Sequence, residues 1–141
     1  MTEFKYAKGR INESVQFISR EMKEFDQEYA ATTWEEYQND LKQQKLIDRT
    51  VENILTAFIE ICGTIIAEKG LAAENYSEVL KEAAKIFGLG LDKQEALAKL
   101  AAQRNRLAHR YLDFKWQAIK LYMAEQETIK LVLNVILKDA N

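Results

Sequence analysis

LIDRTVENILTAFIEICGTIIAEKG, residues 46–70, decides the fold. Its apolar residues Val51, Ile54, Leu55, Phe58, Ile61, Cys62 and Ile65 recur at steps of three and four, which line one face of a helix and no face of a strand. Gly70 follows, and glycine takes the left-handed conformation that closes a helix at little steric cost. Upstream, the same helical pattern continues through Leu41 toward Trp34. There, Thr32 with Glu35 and Thr33 with Glu36 form two overlapping capping boxes that place a helix start near Trp34. The polar stretch from Gln38 to Gln44 leaves room for a bend.

Outward from this segment the chain reads as further helices. Ile11, Val15, Ile18, Met22 and Phe25 make an apolar stripe over residues 3–26. Asn75 or Ser77 is positioned to cap a shorter helix that stops at Gly88, and Gly88-Leu89-Gly90 reads as a turn. It lacks the Lys-Ser/Thr pair and preceding strand of a phosphate loop. Asp92 with Glu95 repeats the capping signal, and a small-residue-rich helix follows from Lys93 through Ala96, Leu97, Leu100, Ala101 and Leu107. A last helix over residues 114–137 carries Ile119, Met123, Ile129, Val132, Leu133 and Ile136. The expected fold is all-α: one domain over residues 1–141, an antiparallel up-down bundle of four or five helices that forms a dimer.

Composition agrees. The 141 residues are 48% hydrophobic and 30% charged, with no proline and five glycines, which suits an ordered helical domain with its own core. The single cysteine, Cys62, sits among isoleucines and reads as a buried apolar residue. The N-terminus is too polar for a signal peptide, and charges interrupt the apolar stretches, so neither a membrane span nor export is expected and the location is cytoplasmic. A net charge of −2 and an isoelectric point near 5.6 argue against a protein that coats nucleic acid nonspecifically. The charge is uneven, however. Lys99, Arg104, Arg106, Arg110, Lys115 and Lys120 fall in one segment with a single acid, Asp113, so a polyanion is expected to bind there.

That segment contains the run Arg104-Asn105-Arg106-Leu107-Ala108-His109-Arg110-Tyr111, and His109 is the only histidine. An unperturbed imidazole titrates at about 6.5 and can both accept and return a proton near neutral pH. On a regular helix the five-residue step from Arg104 to His109 rotates the second side chain by roughly 140°. To act together they need either an unwound helix near Ala108 or a second copy of the chain across a two-fold axis. Spacing alone also allows a plainer reading, in which these residues are end charges complementing a helix dipole and Tyr111 is an ordinary aromatic. Trp34, Tyr37 and Trp116 are expected to staple the end of the bundle, not to stack on bases.

Arg-Asn-x-x-x-His-x-Tyr at the end of a small-residue-rich helix, followed by an amphipathic final helix, resembles the HEPN superfamily, and specifically its HepT-type toxins. The helix from Leu46 to Glu68, the Gly70 stop and the Asn75-Tyr76-Ser77 helix start resemble that group's layout as well. The resemblance implies a dimeric, metal-independent ribonuclease paired with a minimal nucleotidyltransferase antitoxin. It implies Arg104 and His109 as catalytic residues, Asn105 as the adjacent polar position, and Tyr111 as the tyrosine that the antitoxin adenylylates. Lys115 stands where the family often has an acid.

The chemistry suits these residues. In metal-free cleavage the RNA 2′-hydroxyl attacks the adjacent phosphorus, which requires a base for its proton and a cation for the charge growing on the phosphoryl oxygens. His109 fits the first role and Arg104 the second, with Arg106, Arg110 and Lys115 available to hold RNA, tRNA being one candidate. No cofactor or metal is expected, since one His and one Cys lie 47 positions apart. An AMP group on Tyr111 would set a bulky anion two residues from His109 and block both substrate and chemistry. The other reading from the same residues is a noncatalytic helical dimer that binds a nucleotide or a nucleotidyltransferase partner.

Overall fold

The computed structural model describes residues 2–140, with side chains described for residues 10–138. The described residues form six helices: α1 (Thr2–Glu28), α2 (Trp34–Asn39), α3 (Leu41–Glu68), α4 (Tyr76–Ile86), α5 (Leu91–Arg106) and α6 (Leu112–Ala140). Five are long and α2 is a short prelude to α3. The fold is an α-helical bundle.

The helix expected from Trp34 onward divides at Asp40. Thr33 caps α2 in a complete capping box with Glu36. Asp40, extended at φ −114° and ψ 93°, then ends α2 and caps α3, its carboxylate accepting from the Gln43 amide. A short side chain that satisfies the next helix's orphan amides is what lets the chain turn here. Gly70 closes α3 at φ 74° and Gly88 closes α4 at φ 73°, both in the left-handed region. Asn75 caps α4 through the Glu78 amide. The capping box expected at Asp92 does not form. Helix α5 starts earlier, at Leu91, with Gly90 as a cap that offers no side chain, while Gln94 Nε2 donates back to the Leu89 carbonyl.

Helix α3 is the central element and packs on all five others. Ile47, Val51, Ile54, Leu55 and Phe58 are each 1% exposed or less and meet Ile18 and Phe25 of α1, Leu80 of α4, Leu97 and Leu100 of α5, and Ile119 and Tyr122 of α6 in one core. Each such side chain stabilises the fold by ~1.5–3 kcal/mol before entropy is subtracted. Composition alone would let α3 cross a bilayer, with a mean hydropathy of 1.5 over its best window, contrary to the expectation that charges break every such stretch. Of that window, 56% is buried in the bundle, the usual fate of a core helix. Cys62 lies in the same core at 1% exposure, where burial pushes its thiol well above the ordinary range.

Trp34, Tyr37 and Trp116 do staple the bundle end. The Trp34 ring stacks on Tyr37 at 6.1 Å, and both contact Trp116, at 5.8 and 5.0 Å. Beneath them Tyr37 donates its hydroxyl to Asp48, whose other oxygen is 3.3 Å from Lys115 Nζ. This network ties α2 and the start of α6 to α3.

Candidate active site

The motif occupies the junction between α5 and α6. Helix α5 ends at Arg106, and the amides of Ala108 and His109 donate three residues back, to Asn105 and Arg106, in a tightened terminal turn. Leu107, 4% exposed, anchors that turn in the core. The Tyr111 carbonyl accepts the Lys115 amide and so opens α6. His109, Arg110 and Tyr111 therefore lie on a five-residue connection and are all exposed. The helix does unwind at the expected place.

Unwinding gathers part of the motif around a residue the sequence did not single out. The Phe114 ring is perpendicular to His109 (6.1 Å, 90°) and nearly so to Tyr111 (5.7 Å, 78°). The Arg106 guanidinium sits 5.6 Å from the same ring and donates to Gln117 Oε1 at 2.8 Å. Arg110 lies 5.6 Å from the Tyr111 ring. Phe114 is thus a hub, and its signal was only an aromatic five residues after the histidine. Tyr111 is 51% exposed.

Arg104 goes elsewhere. Its Nε donates to Thr56 Oγ1 at 2.9 Å, and its guanidinium carbon is 5.8 Å from the centre of the Tyr76 ring. Among the described residues no contact joins this guanidinium to His109. Thr56 lies 48 positions away in sequence, beyond any motif. Asn105 is exposed beside the helix end. The expectation that Lys115 helps to hold RNA is corrected: its side chain is 18% exposed and its ammonium is paired with Asp48 inside the junction, so it serves the fold.

Arg104 lies on the saddle between two concavities. On one side a groove of about 680 Å³ between α1 and α3 is lined by Arg20, Arg49, Glu13, Glu52, Glu60 and Phe17. On the other a pocket of about 230 Å³ is lined by Tyr76, Val79, Gly63, Ile59 and Glu60. Thr56, Glu60 and Arg104 line both.

A helical bundle that closes a small-residue-rich helix on Arg-Asn-x-x-x-His-x-Tyr, with the imidazole and phenol exposed at the break, is a HEPN-superfamily architecture. More narrowly, residues 18–131 match the family described as "Ribonuclease HepT-like". The chain belongs to the HepT-like ribonuclease family. No match was found among curated proteins or among solved structures.

Proposed function

We propose that this chain is the toxin of a HEPN/minimal nucleotidyltransferase toxin–antitoxin pair and cuts RNA in the cytoplasm as a homodimer without a metal ion. In this reading His109 takes the proton of the attacking 2′-hydroxyl, and Arg104 stabilises the charge on the phosphoryl oxygens. Arg106 and Arg110 hold the strand beside them, with Asn105 supporting. The antitoxin switches the site off by adenylylating Tyr111.

The observation that carries the reading is the exposed His109–Arg110–Tyr111 connection, placed by an ordered helix end in a chain of ribonuclease family. Two further observations support the dimer. Arg104 and His109 engage different partners within one chain, and the groove beside Arg104 mixes guanidinium and carboxylate groups around Phe17. Across a two-fold axis, guanidinium groups of one copy would have carboxylates of the other to pair with in such a groove.

Purified protein should degrade RNA in EDTA, and His109→Ala should remove that activity while the fold, read by circular dichroism, persists. Equal cleavage by His109→Ala and wild type would overturn the assignment. The separation of Arg104 from His109 also favours a second reading, a noncatalytic dimer that binds a nucleotide or nucleotidyltransferase. Growth on induction separates the two: toxicity abolished by His109→Ala supports the nuclease, and harmless expression with tight partner binding supports the module.

A further inference from the structure

The pocket on the α4 side of Arg104 has the features of a nucleobase site. Its volume of about 230 Å³ lies below the ~300–1,000 Å³ of sites for drug-sized ligands and is on the scale of one planar ring system. One wall is Tyr76, 51% exposed at the start of α4 and already faced by the Arg104 guanidinium. Val79, Ile59 and Gly63 supply the apolar surface. Unpaired RNA bases are bound in this way, stacked on an aromatic ring and read along the Watson–Crick edge.

Glu60 supplies the reading group. Among the described residues its carboxylate has no hydrogen bond and no ion pair; Thr64 donates its hydroxyl to the backbone carbonyl of Glu60, not to the side chain. A carboxylate offers acceptors alone. Guanine presents two adjacent donors, N1–H and the N2 amine, to such a group. Cytosine and adenine each set a ring-nitrogen acceptor beside their one amine, and uracil flanks its one N–H with two carbonyls, so each of these meets the carboxylate with a repulsive atom. We propose that Tyr76 and Glu60 form a subsite for a single unpaired guanine of the RNA, seated next to the phosphate that Arg104 holds. The ligand class rests on the RNA-cleaving reading above.

Binding of 2′-O-methyl hexanucleotides to the full chain tests this, because such strands lack the attacking hydroxyl and cannot be cut. One guanine within a uridine strand should tighten binding on the order of tenfold to a hundredfold over adenine, cytosine or uridine at that position, the discrimination typical of a bidentate contact. Glu60→Gln should abolish the preference, and Tyr76→Ala should weaken all four strands together. Gly63→Leu should plug the pocket and erase the preference. A Cβ at Gly63 meets only Val79 Cγ1, at 3.9 Å, and leucine is the better helix former, so that variant should fold.

Equal affinity for the four strands, or a guanine preference that survives in Glu60→Gln, overturns the subsite. Failure of the ribonuclease reading looks different. If wild type does not cut RNA but prefers guanine strands, the subsite stands and catalysis falls; if it cuts RNA with no preference, the reverse holds. His109→Ala should keep the preference in either case.

Discussion

Asp48→Ala is expected to destabilise the chain far beyond an average surface change, because one carboxylate satisfies two groups that have few alternatives. Tyr37 is 0% exposed and donates its hydroxyl to Asp48; stranding that donor costs ~1–3 kcal/mol. Lys115 is 18% exposed and can turn partly toward water, so loss of its pair adds about 1 kcal/mol. The total of ~2–4 kcal/mol corresponds to a Tm lowered by roughly 5–15 °C in a chain of this size. Asp48→Asn keeps an acceptor for Tyr37 and gives up the Lys115 pair together with the cost of burying the charge, so it should lose far less than Asp48→Ala.

Acid conditions separate the two effects further. Burial raises the Asp48 carboxyl above its ordinary value, against the opposing pull of the Tyr37 hydrogen bond and the Lys115 charge. A raised folded-state value means that the contribution to stability is complete below the unfolded pKa and is lost as pH rises through the folded one. Wild type should therefore gain on Asp48→Asn as pH falls from neutral into the carboxyl range. Thermal melts followed by circular dichroism across that range read both quantities. The reasoning fails if Asp48→Ala melts within about 2 °C of wild type, or if Asp48→Asn falls as far as Asp48→Ala.

Three further outcomes follow from the site. Thr56→Val removes the acceptor that fixes Arg104; hydrogen bonds to charged groups are worth ~1.5–3 kcal/mol, so RNA cleavage should drop by up to about 10- to 150-fold in kcat, with a Tm lowered by a few degrees. Phe114→Leu releases the ring contacts of His109, Tyr111 and Arg106. The single histidine's NMR resonances should then lose their ring-current shift, while stability changes by less than about 1 kcal/mol because Phe114 is 38% exposed. Cys62, buried and with its thiol pushed upward, should resist a thiol reagent in native buffer and react at once in denaturant.

Local signals in the sequence carried much of the fold. The Thr33–Glu36 box, the Asn75 cap and the Gly70 and Gly88 stops each depend on residues within a few positions of one another, and each sits where its chemistry directed. Gly90 stands at the helix start in place of Asp92, and Gln94 braces the preceding turn through the Leu89 carbonyl. The misreadings are contacts made at a distance. Nothing near Lys115 points to Asp48, 67 positions away by subtraction of their numbers, and nothing near Arg104 points to Thr56 or Tyr76. A lysine in a basic run reads as a phosphate binder until the core claims it.

The same limit bears on whether Arg104 and His109 share one site. The terminal turn of α5 leaves Arg104 on the side of α3 and α4, while His109 falls toward α6 and Phe114. Joining them within one chain means breaking the Thr56 bond or the Phe114 contact, whereas a two-fold dimer can set the imidazole of one copy beside the guanidinium of the other with both contacts kept. Mixing decides between these. Arg104→Ala and His109→Ala, each inactive alone, are unfolded together and refolded so that subunits exchange. If the pair forms across the axis, half of the dimers are mixed and each has one intact Arg–His pair, so about a quarter of wild-type activity should return. If the pair forms within one chain, no mixed dimer contains an intact site and the mixture stays silent. Silence from a mixture shown to contain heterodimers would remove the shared site from the proposed mechanism.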